Sequence, residues 1–125
     1  MKYSLSLFIL VISCANVDTS HIKDLFVQRI NCDGANCCYL SDSLLNKLIS
    51  TPNDFAFACN SDSIGFRKWL TGLEDCSFVD YSGKDSLSLV SKKDQAISSA
   101  KKISNNKIKA NLLEALNLIK IRKID

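Results

Sequence analysis

The chain has 125 residues, six cysteines, one histidine and a formal net charge of +3. This length is typical of one domain. After the first 15 residues no segment is apolar enough to span a bilayer, so the composition gives no support to membrane insertion.

The first 15 residues, MKYSLSLFILVISCA, have the pattern of a secretory signal peptide. Lys2 precedes an apolar run over residues 5–12, and small residues follow it. Ser13 and Ala15 favour cleavage after Ala15, which predicts a secreted, extracellular protein. The segment VISC also fits a bacterial lipoprotein signal, in which Cys14 is lipidated and becomes the N-terminus.

Residues 16–36 are predicted to form a flexible lead, with the sharpest turn signal at Asp33-Gly34. The segment SLLNKLIS at 43–50 fits a helical turn or a packed loop. Pro52 ends that segment, because proline disfavours a helical conformation in the residue before it. FAFAC at 55–59 alternates large and small apolar residues, which favours an extended segment.

The segment IGFRKWLTGLEDC at 64–76 is predicted to form two short strands. Residues 64–69 alternate in character as in a half-buried strand, and Thr71-Gly72 fits a hairpin turn. YSGKDS at 81–86 is predicted to be a loop. From residue 96 onwards apolar residues recur at spacings of three and four, which predicts two helices interrupted by residues 104–106. Strands before helices predict a small α+β fold.

Export would place the remaining five cysteines under oxidising conditions, where they form bridges. They are Cys32, Cys37, Cys38, Cys59 and Cys76. Since five is an odd number, one of them is free, or pairs with a small thiol, or links two chains. The adjacent Cys37 and Cys38 do not readily bond each other, because disulfide geometry is narrow, so each is expected to have a distant partner.

Charge is divided unevenly along the chain. Residues 16–90 contain six Lys/Arg and ten Asp/Glu (6 − 10 = −4), whereas residues 91–125 contain nine and three (9 − 3 = +6). A basic C-terminal part suggests an anionic partner, either a sulfated polysaccharide or a membrane face, and secretion makes nucleic acid the least favoured of the anions. An ordinary solvated helix face is the equally weighted alternative.

Little in the sequence points to catalysis, to a metal or to a cofactor. His21 lies in the predicted lead, and a Cys–His pair would need a thiol that secretion oxidises. Glu74 and Asp75 are neighbouring carboxylates beside a predicted turn, where such groups are usually solvated. The clustered cysteines do not form the two pairs of a zinc site. We therefore expect a protein that is not an enzyme and that has no cofactor.

The cysteine pattern resembles that of the CC chemokines, a family of small secreted ligands. Cys37-Cys38 is followed after 20 residues by Cys59 and after a further 16 by Cys76. The aromatic Tyr39 soon after the doublet and the basic, helical C-terminus agree with the family. The extra Cys32, the long lead and the 49 residues after the fourth cysteine depart from it. A Lys-, Ile-, Asn- and Ser-rich composition is typical of an AT-rich genome, which fits a chemokine-like protein of a large DNA virus.

The resemblance implies an α+β fold, with a disulfide-stapled antiparallel sheet of about three strands and a C-terminal helix. It implies bridges between Cys37 and Cys59 and between Cys38 and Cys76, with Cys32 left to link a dimer. The chain would then divide into a signal peptide (1–15), a flexible lead (16–36), a chemokine-like domain (37–105) and an additional helical basic tail (106–125).

The resemblance also implies two partners. A seven-helix chemokine receptor would be bound, as agonist or antagonist, by residues before and after the doublet, namely Asn31, Asp33, Asn36, Tyr39, Leu40, Leu44 and Lys47. Glycosaminoglycans would be bound by basic residues of the hairpin and the first helix, namely Arg67, Lys68, Lys92, Lys93, Lys101 and Lys102. Two alternatives remain open: a bacterial surface lipoprotein that uses its helical tail to bind a host partner, and a small disulfide-rich toxin or effector.

Overall fold

The computed structural model describes residues 19–124, so the signal-peptide and lipidation hypotheses concern residues outside this range. Helix α1 covers residues 19–30 of the described part. The elements that follow are α2 (Ala35–Ser50), α3 (Pro52–Ser61), α4 (Ser63–Ser77), β1 (Val79–Asp80), α5 (Ser86–Ala100), α6 (Asn106–Leu118) and β2 (Arg122–Lys123). The two strands pair in parallel, with Val79 opposite Arg122.

The predicted α+β fold with a three-stranded antiparallel sheet is wrong, because the described chain is almost entirely helical. The predicted hairpin at 64–76 is part of helix α4. Phe66, Trp69 and Leu73 are buried there at spacings of three and four residues, which is the period of a helix face. Ile64 is 62% exposed, so the apparent alternation did not mark one buried strand face.

The predicted extended segment at 55–59 is also helical and belongs to α3. Pro52 occupies the first turn of α3, where the missing N–H would have no partner in the helix anyway. Thr51 separates α3 from α2, as proline requires of the residue before it. Phe55 and Cys59 are buried four residues apart, whereas Phe57 is 57% exposed.

Both ends of the described chain contribute to one core. Ile22, Leu25 and Phe26 of α1 are buried in the same cluster as Leu112 and Leu116 of α6. The segment expected as a flexible lead therefore contains a packed helix, and the segment expected as an additional tail supplies core residues. Burying these faces replaces apolar contact with water by contact within the protein, which is the main stabilising term.

Trp69 of α4 lies at the centre of the core and is 0% exposed. Its ring meets that of Phe55 edge to face at 5.1 Å between centroids and stacks on Phe66 at 6.4 Å. The indole Nε1 donates a hydrogen bond of 3.1 Å to the backbone carbonyl of Ser41 in α2. Trp69 thus joins three helices and satisfies its polar group while buried.

The disulfide pairing differs from the chemokine pattern in one of its two bridges. Cys38 is bonded to Cys76, with 4.7 Å between their Cα atoms, and this bridge joins α2 to the end of α4. Cys37 is bonded to Cys32 rather than to Cys59, so the expected Cys37–Cys59 bridge is wrong. Cys59 instead faces the core from α3 as a buried thiol. The bridge within the chain also leaves Cys32 no thiol for the expected dimer link.

The loop before α5 is organised by the buried carboxylate of Asp80. The Ser86 hydroxyl donates to it at 2.6 Å, and the backbone N–H groups of Gly83 and Asp85 donate at 2.8 and 3.1 Å. These hydrogen bonds, the one from Ser86 foremost, hold the pKa of Asp80 below its usual value. Gly83 adopts a positive φ of 77°, which a side chain would disfavour.

Candidate anion-binding groove

A shallow groove of about 560 Å³ lies between the end of α1 and one face of α4. The α4 face is formed by residues 64, 68, 71 and 72, which occupy positions i, i+4, i+7 and i+8 and therefore lie on one side of the helix. It spans about 12 Å from Ile64 to Gly72, at 1.5 Å per residue. Three cations line the groove: Arg29, Arg67 and Lys68.

Arg29 is held in the groove by neutral partners only. Its Nε donates a 3.0 Å hydrogen bond to the Ser41 hydroxyl, and its Nη1 lies 3.6 Å from the Cys32 sulfur. The residue is half-buried, and no carboxylate of residues 19–124 lies within 4 Å of it. A fixed, partly desolvated guanidinium without a carboxylate partner is suited to bind an anion from solution.

Gly72 provides the space that the Arg29 head group occupies. A Cβ atom at position 72 would lie 2.5 Å from Arg29 Nη2, far inside the ordinary contact distance. The absence of a side chain at this position therefore lets the guanidinium pack against the backbone of α4. Close approach of another group is one of the few reasons for a glycine inside a helix, where it otherwise lowers stability.

Arg67 also lines a second cavity, of about 330 Å³, between α3, α4 and α6. Lys107 of α6 lines the same cavity, together with Asn60 and Asn111. Arg67 therefore stands between Lys107 on one side and Arg29 and Lys68 on the other. We call Arg29, Lys68, Arg67 and Lys107 the basic band.

Within the described part of the chain, no member of the basic band forms an ion pair. Among residues 19–124 the ion pairs are Lys92–Asp42, at 3.8 Å, and Arg122–Asp75. Neither pair involves a member of the band, and the carboxylate of Glu114, which lines a cavity with Arg67, forms no ion pair with it within 4 Å. Like charges close together repel one another, and an anionic ligand would relieve that repulsion.

The six lysines and arginines predicted to bind glycosaminoglycan do not lie in one place. Arg67 and Lys68 lie in the groove, whereas Lys92 pairs with Asp42. Lys93 Nζ donates a 2.7 Å hydrogen bond to the carbonyl of Ile119 just beyond α6, which gives it a structural role. The exposed Lys101 and Lys102 lie at the end of α5. The next residues of that turn reach the start of α3, since the Ser104 N–H donates to Asn53.

The residues predicted to bind a receptor are also only partly together. A shallow depression of about 400 Å³ beside the Cys32–Cys37 bridge is lined by four of them, Asn31, Asn36, Tyr39 and Leu40. Asp33 is exposed in the turn before α2, and Lys47 is half-buried. Leu44 is 0% exposed and packs in the core, so it cannot contact a partner in this fold.

Two members of the basic band, Arg29 and Lys107, were missed from the sequence. Arg29 belongs to the segment predicted as a flexible lead, although Ile22, Leu25 and Phe26 have the spacing of a buried helix face. Arg29 follows that face by one turn, which was the available signal for its place beside the core. Lys107 directly precedes the predicted α6 stripe and carries no signal of its own.

The carboxylates considered for catalysis lie at the end of α4 in structural contacts. Glu74 Oε1 accepts a hydrogen bond of 3.2 Å from the Lys120 N–H, and Asp75 pairs with Arg122. His21 is exposed on α1. Over residues 19–124, His, Cys, Asp and Glu form no group of three or more that could hold a metal ion.

Comparisons of the chain with protein-family models, curated proteins and solved structures find no match. In the part of the chain that the structure describes, no helix combines the length and apolar character needed to cross a bilayer. The groove and its charges are therefore the observations on which a functional proposal rests.

Proposed function

We propose that the protein is a non-enzymatic binding protein of an oxidising, extracytoplasmic compartment, and that its basic band holds sulfated glycosaminoglycans. The observation that carries this proposal is the half-buried Arg29. It lies beside Arg67 and Lys68 in one groove, and no described carboxylate forms an ion pair within 4 Å with any of the three. Polyanions gain most from such a surface, because several phosphate or sulfate groups can meet several cations at once.

Two features support the compartment. The first residues have the pattern of a secretory signal, and the two bridges, Cys32–Cys37 and Cys38–Cys76, are stable in oxidising surroundings. Outside the cytosol, sulfated polysaccharides are the abundant linear polyanions, and nucleic acid is scarce. The alternative signal, with a lipid on Cys14, would change how the protein is anchored and would leave the proposal for the groove unchanged.

Chemokine-receptor binding is not part of this proposal. It followed from the resemblance of the cysteine spacing to the chemokines, and the described chain has neither the sheet nor the Cys37–Cys59 bridge that the resemblance implies. Leu44, one of the residues expected to meet a receptor, is buried in the core. The depression beside Tyr39 carries no charge pattern that would select one partner.

The test is retention on immobilised heparin, eluted with increasing salt. The double reversal Arg67→Glu/Lys68→Glu places two negative charges in the groove, so we expect elution at a much lower salt concentration than for the unchanged protein. The matched control is Lys101→Glu/Lys102→Glu, which makes the same change in net charge at the end of α5. We expect this control to shift elution less.

Each result has one meaning. Equal shifts for the two double variants would show that heparin responds to net charge rather than to the basic band. Retention unaltered by the groove reversal would remove the groove from the proposal. All four side chains are exposed and none belongs to the core, so we expect both variants to retain the helices. Circular dichroism of both variants checks this.

A further inference from the structure

We propose that Arg29, seated over Gly72, is a preformed site for a single tetrahedral oxyanion, and that its ligand is one sulfate group of the bound glycan. This inference rests on the proposed function, because it assigns one chemical group of that polymer to one side chain. The Arg29 guanidinium is held by two other elements, whereas the side chains of Arg67, Lys68 and Lys107 are exposed.

The orientation of the guanidinium is fixed before any ligand binds. Nε donates to Ser41 on α2, Nη1 contacts the Cys32 sulfur, and Nη2 packs over Gly72 of α4. Cys32 is itself held by its bridge to Cys37. Three elements therefore position one planar group, so that little side-chain entropy remains to be lost when an anion binds.

The guanidinium keeps donors for a ligand. It has five N–H groups, and the described contacts engage one at Nε and one at Nη1. The remaining three are not matched by any acceptor among residues 19–124. Two parallel N–H groups suit two oxygens of the same sulfate, and such bidentate bonds to an anion are short and strong.

Gly72 is a positioning residue of this site, because it leaves the space in which the Arg29 guanidinium lies. An alanine Cβ would meet Arg29 Nη2 at 2.5 Å, and that atom is the far end of a flexible side chain, so the guanidinium would move rather than the helix. Alanine is also a better helix former than glycine. Gly72→Ala should therefore weaken anion binding while α4 becomes no less stable, which separates a loss of the site from a loss of folding.

The experiment follows the Arg29 Nε–H resonance by ¹⁵N NMR while sodium sulfate replaces sodium chloride at constant ionic strength. In the unchanged protein we expect a saturable shift of this resonance with sulfate, and binding about tenfold weaker with acetate, because acetate carries one negative charge and sulfate carries two. In Gly72→Ala we expect sulfate to bind about tenfold more weakly. The control Ser98→Ala, an exposed position of α5, should bind sulfate as the unchanged protein does.

Three results would overturn the inference. Absence of a saturable shift at Arg29 would do so, and the proposed function would still stand if heparin retention depends on Arg67 and Lys68. Equal sulfate affinity in Gly72→Ala would show that the guanidinium seat is not the site. Saturation by inorganic phosphate alone, with none by sulfate, would contradict the assignment to a sulfated glycan.

Discussion

At the scale of single residues, Cys59 explains why a cysteine spacing was misread. Spacing along the chain does not show which face of a helix a residue occupies, and Cys59 lies on the buried face of α3. Burial raises the pKa of its thiol well above the ordinary value, because the charged thiolate would lose its hydration. A thiol that stays protonated is a poor nucleophile and does not exchange readily with disulfides.

The buried thiol predicts a dependence of stability on pH. Above pH 9.0, the ordinary pKa of the group, the thiol ionises in the unfolded chain while it stays protonated in the folded protein. The folded state then binds more protons, so the free energy of unfolding falls by about 1.4 kcal/mol for each further pH unit. Well below that pH the thiol is protonated in both the folded and the unfolded state, so it does not make stability depend on pH.

Urea unfolding at pH 7, 9 and 10 measures this effect, with Cys59→Ala as the matched control. Alanine lowers stability at every pH, because it leaves space in the core. The prediction concerns only the further fall in the free energy of unfolding above pH 9. This fall should be smaller in Cys59→Ala by the amount that ionisation of the thiol contributes. The same pH profile in both proteins would contradict a buried, protonated Cys59.

At the scale of elements, α4 is where sequence reasoning failed and where most of the candidate site lies. The stripes of α6 and of the second half of α5 were predicted from their three- and four-residue periods, and the structure has both helices. In α4 a glycine, a threonine and mixed alternation suggested a hairpin. Gly72 is present for a tertiary reason, contact with Arg29, which no local pattern reveals.

The two disulfides differ in what they join. Cys38–Cys76 links α2 to α4 across a sequence separation of 38 residues. Cys32–Cys37 has a sequence separation of only 5 residues and joins the turn before α2 to the first turn of that helix. A bridge stabilises mainly by restricting the unfolded chain, and the restriction grows with the length of the closed loop. The longer loop should therefore contribute more.

Removing each bridge tests this assignment. Cys38→Ser/Cys76→Ser should lower the free energy of unfolding by about 4 kcal/mol, and Cys32→Ser/Cys37→Ser by about 2 kcal/mol, on the loop-entropy estimate. Denaturant titration of the two double variants gives both values, and non-reducing peptide mapping of the unchanged protein gives the pairing. A larger loss from the short loop, or a mapped Cys37–Cys59 bridge, would contradict the structure.

At the scale of the whole molecule, the charge along the chain was a misleading guide to charge in space. The sequence is acidic over residues 16–90 and basic beyond, which favours the C-terminal lysines as anion-binding residues. Three of the four cations in the basic band, Arg29, Lys68 and Arg67, come from the acidic part. Helix packing brings α1 and α4 together, and no carboxylate of residues 19–124 forms an ion pair with these cations within 4 Å. Only a three-dimensional arrangement could show this.

The most direct test of the central claim is chemical-shift mapping with a heparin-derived oligosaccharide on the ¹⁵N-labelled protein. The proposal predicts saturable shifts concentrated at Arg29 and at residues 64–72 of α4, with smaller ones near Lys107. Shifts concentrated instead around Lys101 and Lys102, or the absence of saturable shifts at physiological salt, would contradict the proposal that the basic band is a glycan-binding surface.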